Sequence, residues 1–213
     1  VEVELRGIVH GFDLDDGPTA QYILIDGTGG INVRRSGGFT PSYTVTEGDS
    51  VHVWGTVGSF RGTTQLNADS MSVISSNNSL SAIQKVDTVG PDVESEYIRI
   101  DTVEIISGSW PTPGNSATLQ IVTPKMDTVD LRISSDLPFE DSVTTAPLGK
   151  FDIIGYGGQF DFSSPFTSGY QITPHFKNHI VQHCLAPSNV TVSNISNSTA
   201  SIFWTTGGSN TWN

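Results

Sequence analysis

Little in the 213-residue sequence supports a disulfide framework or a membrane-spanning segment. It has one cysteine, Cys184, which cannot form an internal disulfide. No run of about 18 apolar residues occurs, so the sequence predicts no membrane-spanning helix. Only ten lysines and arginines stand against 22 aspartates and glutamates, which gives a formal net charge of −12. Such a chain repels a polyphosphate overall, so nucleic-acid binding would require a local basic patch.

Helical periodicity is missing as well. No window of about 12 residues places apolar side chains at helical spacing. The chain instead carries 22 glycines and 11 prolines, which suit the tight turns between short strands. These features predict an all-β protein.

The motifs of common hydrolases and nucleotide-binding enzymes are also lacking. The sequence has no Gly-x-Ser-x-Gly, no phosphate-cradling Gly-x-x-x-x-Gly-Lys and no cysteine–histidine pair in a credible fold context. We therefore predict that the chain is not an enzyme.

A hairpin at 48–66 (GDSVHVWGTVGSFRGTTQL) organises the sequence. Val51, Val53 and Val57 keep alternate positions, as in a strand with one buried face, and a glycine-containing turn interrupts them before the chain returns. A related hairpin occurs at 149–172, where apolar residues and glycines recur in the same order. The recurrence predicts two copies of one small β domain.

The sequence of the first copy predicts five strands. Residues 1–10 alternate apolar and polar side chains, and 22–26 and 31–35 are short strands joined by a glycine-rich turn. The hairpin supplies the last two strands. Three strands in a meander, a connection and a hairpin match the small Greek-key barrel called the oligonucleotide/oligosaccharide-binding (OB) fold.

The second copy follows the same order, with strands expected at 97–106, 117–123 and 128–134 and a longer loop, 159–168, inside its hairpin. We predict two tandem five-stranded OB-fold-like barrels and an incomplete β-sandwich segment. The predicted divisions are barrel 1 at 1–76, a linker at 77–94, barrel 2 at 95–183 and the sandwich segment at 184–213.

Three stretches carry a resemblance at family level. Residues 22–31 (YILIDGTGGI), 47–55 (EGDSVHVWG) and 60–66 (FRGTTQL) resemble OB-fold-like barrels in large secreted or cell-surface proteins of the Bacteroidetes type. Such modules often accompany nucleases, phosphatases or adhesins. The resemblance implies an exported multidomain protein.

The end of the sequence resembles the start of a fibronectin type III domain. Val190, Val192 and Ile195 would lie on its first strand, and Trp204 would be the core tryptophan. A complete sandwich needs about seven strands. Residues 184–213 alone are therefore too few to bury a sandwich core.

Ligands of the OB fold lie across strands 2 and 3, flanked by the loops between strands 1 and 2 and between strands 4 and 5. Aromatic and guanidinium groups there suit single-stranded nucleic acid or a sugar. The alternative is that Phe60 plugs the barrel end and the arginines solvate an edge strand. In the second copy Arg132 stands alone and Trp110 falls in a loop, so no paired site is expected. The candidate ligand-binding residues are Tyr22, Arg34, Arg35, Phe60 and Arg61.

Two metal sites are conceivable from spacing. Asp13, Asp15 and Asp16 place three carboxylates on one loop, as calcium prefers, but the EF-hand pattern fails because Leu24 stands where a bidentate Glu is required. The sequence favours a solvated turn over a calcium site for this loop. His175, His179 and His183 recur every four residues without the Glu of a His-Glu-x-x-His motif.

Two functions remain open. The first is a non-catalytic spacer or ligand-presenting segment of a larger exported or cell-surface bacterial protein, favoured by the repeat, the acidic charge and the missing catalytic motifs. The second is an accessory module that binds single-stranded nucleic acid or oligosaccharide for a secreted hydrolase. Other domains of the same longer chain are the expected partners, since the sequence opens at Val1 without an initiator methionine or signal peptide.

Overall fold

The computed structural model describes residues 1–15, 19–37, 39, 43–135, 145–183 and 185–207. These residues form fourteen strands and only short 3₁₀ turns besides. The all-β prediction is confirmed. In the described part of the chain, no helix has the length and apolar character needed to cross a membrane.

Barrel 1 is a closed sheet in the order β1-β2-β3-β5-β4. All neighbours are antiparallel except β3 and β5, which are parallel. This pairing is the Greek-key order expected of the OB fold. Its strands are β1 (Glu2–His10), β2 (Ala20–Ile25), β3 (Gly30–Arg35), β4 (Ser50–Phe60) and β5 (Thr63–Ser75).

Barrel 2 follows the short strand β6 (Gln84–Lys85) and repeats this pairing. The ring runs β7-β8-β9-β11-β10 and closes by pairing of β10 with β7, again with one parallel pair, β9 and β11. The two-barrel architecture predicted from the repeat is therefore present. Its strands are β7 (Tyr97–Ser107), β8 (Ala117–Val122), β9 (Thr128–Ile133), β10 (Phe151–Gln159) and β11 (Tyr170–Thr173); β12 (Ile180–Gln182) extends the sheet beside β10.

Each barrel has its own core, formed by alternate residues of its strands. Val51 and Val53 lie fully buried in barrel 1, and Ile98 and Ile100 lie fully buried in barrel 2. The segment expected to link the barrels packs onto barrel 2. Its Val89 joins that core, and β6 pairs with β7.

The outer face of β2 packs against barrel 2. Ile23 and Ile25 point away from the interior of barrel 1 and contact Tyr156 of β10, and each of the three is at most 4% exposed. Nearby, the Gly30 N–H donates a hydrogen bond to Glu96 Oε1 at 2.9 Å. The two barrels are therefore in direct contact over an apolar surface bordered by polar groups.

A two-stranded hairpin, β13 (Leu185–Ser193) and β14 (Ser201–Gly207), ends the described chain. Several of its large apolar side chains are exposed. Val192, Ile202 and Trp204 are each about half exposed, at 52%, 56% and 48%. Trp204 is thus not a core tryptophan within the residues described.

Candidate ligand-binding cleft

A cleft of about 300 Å³ lies between the two barrels. One wall is the outer face of β2 and β3 of barrel 1, together with the β4–β5 turn. The other wall is formed by β10 and β11 of barrel 2. This arrangement places the surface that an OB fold uses for ligands directly opposite the second barrel.

Three phenylalanines form an exposed aromatic row: Phe60 and Phe160 line the cleft, and Phe162 lies beside Phe160 outside it. Phe60 ends β4, and Phe160 and Phe162 follow β10. The ring centroids of Phe60 and Phe160 are 6.1 Å apart, and those of Phe160 and Phe162 are 5.2 Å apart, both pairs edge-to-face. They are 55%, 40% and 76% exposed, respectively. Exposed aromatic rings in a row suit flat faces of a ligand, because stacking removes apolar area from water.

The β4–β5 turn fixes one end of this row. Arg61 and Gly62 have φ values of 55° and 97°, as both central residues of a type I′ hairpin turn require. The Asp161 N–H donates to the Arg61 carbonyl oxygen at 2.8 Å. In return the Arg61 guanidinium donates to the Phe162 carbonyl oxygen at 3.0 Å and lies over the Phe160 and Phe162 rings. The turn of barrel 1 is thus bound to the loop of barrel 2.

Asp161 holds the long β10–β11 loop in shape. Its Oδ1 accepts the Ser163 N–H, and its Oδ2 accepts the N–H groups of Thr167 and Ser168 and the Ser168 hydroxyl, at 2.8 to 3.1 Å. The backbone hydrogen bond from Ser163, with those from Ser168 and Thr167, lowers the pKa of this carboxyl to about 2. The ionised Asp161 therefore organises the loop that presents Phe162.

The polar lining of the cleft is mostly neutral. Asn32 is 7% exposed, and its Oδ1 has no hydrogen-bond partner among the described residues, so a ligand hydroxyl or a water would satisfy it. Arg34 is balanced by Asp15, with 3.2 Å between Nη2 and Oδ2. The cleft therefore offers hydrogen-bonding groups with little net charge. Its amide side chains are Gln21, Asn32, Gln65, Gln159 and Gln171.

Three histidines are buried where the barrels meet, and His175 also lines the cleft. Each ring accepts a backbone N–H: His10 from Ser81, His175 from Phe12 and His179 from His175. An accepting ring nitrogen carries no proton, so this packing favours neutral rings. Burial lowers the pKa of His10 and His179 to about 4, and burial with the neighbouring His179 and His10 lowers that of His175 to about 3.

Two tyrosines complete this buried cluster. Tyr97 and Tyr156 stack with ring centroids 5.1 Å apart. The Tyr97 hydroxyl is hydrogen-bonded to His179 Nε2 at 3.2 Å, whereas the Tyr156 hydroxyl is buried without a partner among the described residues. Burial raises the pKa of both phenols. The buried histidines and tyrosines therefore form an uncharged, aromatic floor beneath the cleft.

The structure brings together three of the five predicted ligand-binding residues. Arg34 and Phe60 line the cleft, and Arg61 lies at its edge. Tyr22 requires a correction: it faces the interior of barrel 1 and is 0% exposed, because it shares the inward face of β2. Arg35 points to the other side of β3, where it donates to the Ala68 carbonyl oxygen at 2.9 Å.

The carboxylates proposed for calcium have other partners. Asp13 Oδ1 accepts the N–H groups of Asp15 and Gln21, and Asp15 pairs with Arg34. Asp16 lies outside the described residues. Within the described ranges, no group of three or more His, Cys, Asp or Glu side chains is placed to hold a metal ion.

The evenly spaced histidines also separate. His175 and His179 are buried at the barrel contact, whereas His183 Nε2 lies 2.6 Å from Oδ1 of Asp152 near the start of β10. The four-residue spacing therefore does not bring the three rings together, because a 3₁₀ turn, 177–179, stands between the strands.

Sequence reasoning missed the contribution of barrel 2. Phe160 and Gln171 line the cleft, and Arg132 occupies the position in β9 that Arg34 holds in β3. The strand registers therefore give Arg132 a counterpart in barrel 1, which was not expected from the sequence. A usable signal was the continuous apolar run 22–25, because a strand buried on both faces loses its alternation.

No protein-family model matches the chain, and no curated protein matches it. Among solved structures, a murine DNA-binding protein bound with double-stranded DNA is 8% identical over 87% of this chain and 99% of that chain, with a TM-score of 0.39. The Ifi202 HINa domain in complex with 20-bp double-stranded DNA is 9% identical over 84% and 96%, with a TM-score of 0.36. A deletion mutant of the Thermus aquaticus single-stranded DNA-binding protein is 10% identical over 87% and 95%, with a TM-score of 0.25. All three TM-scores are below 0.5, and the OB-like order of each barrel is shown by its strand pairing.

Proposed function

We propose that the two barrels form a non-catalytic binding module that takes an extended, neutral oligosaccharide in the cleft between them. The observation that carries this proposal is the pair of exposed rings Phe60 and Phe160 beside a wall of amide side chains. Aromatic rings stack on the apolar faces of sugar rings, and amides hydrogen-bond the hydroxyl groups at their edges. A pure spacer would have no use for exposed aromatics at this place.

The charge of the cleft favours a neutral polymer over a polyphosphate. Arg34 is balanced by Asp15, and the whole chain carries −12. Single-stranded nucleic acid remains the second candidate, since Arg61 lies over two of the phenylalanine rings. Guanidinium and aromatic groups together are what such a strand requires.

Titration calorimetry on the 213-residue chain tests the proposal. The probes are neutral malto-, laminari-, cello- and xylo-oligosaccharides and an oligodeoxythymidylate, each at low and physiological salt. Oligosaccharide binding should hardly respond to salt, whereas phosphate binding should weaken steeply. If only the oligodeoxythymidylate binds, and salt weakens that binding, the ligand is single-stranded nucleic acid rather than an oligosaccharide. If neither class of probe binds, both candidate functions are contradicted.

Two variants with matched exposure locate the site. Phe60→Ala should weaken binding about fivefold or more, because stacking of a flat ligand face on an aromatic side chain contributes on the order of 1–3 kcal/mol. Ile74→Ala is the control: both side chains are 55% exposed, and Ile74 lies outside the cleft. If Arg34→Ala combined with Arg61→Ala leaves binding intact, the cleft is not the site. Incubation of bound ligand with the chain should show no turnover, since we propose no catalysis.

We further propose that this module belongs to a larger exported or cell-surface protein and that β13 and β14 begin a fibronectin type III-like domain. Support comes from the Bacteroidetes-type resemblance and from the exposed apolar side chains of the hairpin, such as Ile202 and Phe203. Hydrogen exchange over 185–207 should be much slower in the protein isolated from its source than in this chain. Equal exchange in both, or recovery of the protein only from cytoplasm, would contradict these two proposals.

A further inference from the structure

We propose that barrel 2 carries a second subsite equivalent to that of barrel 1, and that one oligosaccharide chain crosses both subsites over Phe160. This inference rests on the proposed function and extends it. It follows from the strand registers, the shared lining residues and the way the barrels are joined.

The parallel strand pairs fix the equivalence of the walls. In barrel 1 the buried Leu66 of β5 lies opposite Val33 of β3, and in barrel 2 the buried Ile172 of β11 lies opposite Leu131 of β9. One residue after Leu131 stands Arg132, as Arg34 stands one residue after Val33. A glutamine precedes the buried residue in both strands: Gln65 precedes Leu66, and Gln171 precedes Ile172. The equivalent pairs are therefore Arg34 with Arg132 and Gln65 with Gln171.

The hairpin registers give the aromatic equivalence. Leu66 pairs with Val57 in barrel 1, and Ile172 pairs with Gly157 in barrel 2. Three residues further along each strand lie Phe60 and Phe160. A phenylalanine therefore stands at the equivalent position in both barrels, at the end of β4 and directly after β10, near the equivalent arginine and glutamine.

These barrel 2 residues line a cavity of their own. It measures about 350 Å³ and is adjacent to the inter-barrel cleft, because Phe160 and Gln171 line both. The remaining lining residues are Thr118, Asp130, Arg132 and Phe162. The row of phenylalanines thus runs from the first subsite into the second.

The second subsite differs in polarity in a way that favours a sugar. Asp130 occupies the position equivalent to Asn32 of barrel 1, because Asp130 pairs with Gln171 as Asn32 pairs with Gln65. Arg132 donates to the Thr118 hydroxyl at 3.3 Å. A carboxylate among the lining residues accepts hydrogen bonds from hydroxyl groups but repels a phosphate. Burial raises the pKa of Asp130.

The barrel contact keeps the two subsites in line. The Thr63 hydroxyl donates to the Gln159 carbonyl oxygen at 2.5 Å, and the Gln159 N–H donates to the Thr63 Oγ1 at 3.1 Å. Gly62 forms a β-bridge with Phe160. A ligand that binds one subsite therefore meets the other at a fixed distance, which raises the effective concentration for the second contact.

Length-resolved calorimetry tests the inference. The probes are members of the neutral oligosaccharide series that binds, from two to eight units. Affinity should rise at least tenfold between the shortest binder and the longest members. Phe162→Ala combined with Arg132→Ala should abolish this gain and leave the shortest binder almost unchanged. Phe162→Ala alone should reduce the gain, and because this side chain is 76% exposed the fold should tolerate it.

Phe166→Ala is the matched control, because Phe166 belongs to the same loop, is 41% exposed and lines neither cavity. It should leave the length dependence intact. The second subsite would be overturned, and the first left standing, if affinity did not change with oligosaccharide length. The same conclusion would follow if the gain in affinity with length survived in both Phe162 variants. If no oligosaccharide of any length binds, the proposed function and the second subsite are both overturned. If only oligodeoxythymidylate binds, with an affinity that depends on its length, the proposed class of ligand is overturned.

Discussion

The two barrels share strand order and register, yet their fourth and fifth strands are joined in different ways. Barrel 1 uses a two-residue turn, Arg61-Gly62, and this turn docks on its neighbour. Barrel 2 uses the ten residues 160–169, arranged around Asp161. One topology thus supplies a turn that docks on the neighbouring barrel in one copy and a longer loop that carries the exposed Phe162 in the other.

The outer faces differ in the same sense. Ile23 and Ile25 of β2 are apolar and covered by Tyr156 of the other barrel. By strand pairing, Ile23 is equivalent to Gln120 of β8, which is exposed. Barrel 1 therefore buries part of this outer face in the barrel contact, whereas the corresponding position of barrel 2, Gln120, stays exposed.

The largest effects should come from the equivalent core residues Leu66 and Ile172, both 0% exposed. Leu66→Ala and Ile172→Ala should each lower the free energy of unfolding by about 2–5 kcal/mol, because each leaves a cavity. Since the barrels bury an apolar contact between them, urea unfolding should show one transition that responds to both variants. Two transitions, each sensitive to one variant only, would show that the barrels unfold independently.

Acid should act next, through the buried histidines at the barrel contact. Unfolded histidines bind protons below about pH 6.5, whereas His10 and His179 have folded pKa values of about 4. The unfolded state therefore binds more protons in this window, so stability is complete above about pH 6.5 and falls as the pH drops towards 4. The loss should be on the order of several kcal/mol, since one pKa unit corresponds to about 1.4 kcal/mol.

His10→Phe provides the internal check on this pH dependence. Removing one of the three titrating rings should make the unfolding free energy, measured in urea from pH 7 to 4.5, decline less steeply than in the wild type. An identical slope in the variant would mean that His10 does not contribute to the acid response.

A smaller effect should separate two glycines of the same turn. A Cβ at Gly30 would lie 2.0 Å from the Ser95 carbonyl oxygen, whereas a Cβ at Gly27 would have no heavy atom within 4 Å. Gly30→Ala should cost about 1–3 kcal/mol by pushing the barrels apart, and Gly27→Ala should stay within about 0.5 kcal/mol. Equal melting temperatures for the two variants would argue against the close approach.

The smallest effect should come from removing single hydroxyl groups of the stacked tyrosines. Tyr97→Phe should cost about 0.5–1.5 kcal/mol, because it removes the hydrogen bond to His179. Tyr156→Phe should be neutral or stabilising, since its buried hydroxyl lacks a partner among the described residues. Thermal unfolding of both variants checks that Tyr97→Phe lowers the melting temperature more than Tyr156→Phe does. A larger loss in Tyr156→Phe would show that the Tyr156 hydroxyl is hydrogen-bonded, for example to a bound water.

Local pattern alone determined much of this protein. Alternation of Val51, Val53 and Val57, the glycine-rich turns and the recurrence at 149–172 were sufficient for two five-stranded barrels, because side-chain period and turn chemistry are properties of neighbouring residues. The position of Phe60 at a strand end was predictable for the same reason, since it precedes a recognisable turn.

Only the tertiary structure decided which side chains share the cleft. Tyr22 was misplaced because alternation along a short, wholly apolar strand does not reveal which face is inside. Phe160 and Gln171 lie about a hundred residues from Phe60 in sequence, and only the docking of the two barrels brings them into one cleft with it. Their joint site arises from contacts between distant segments, which no local pattern encodes.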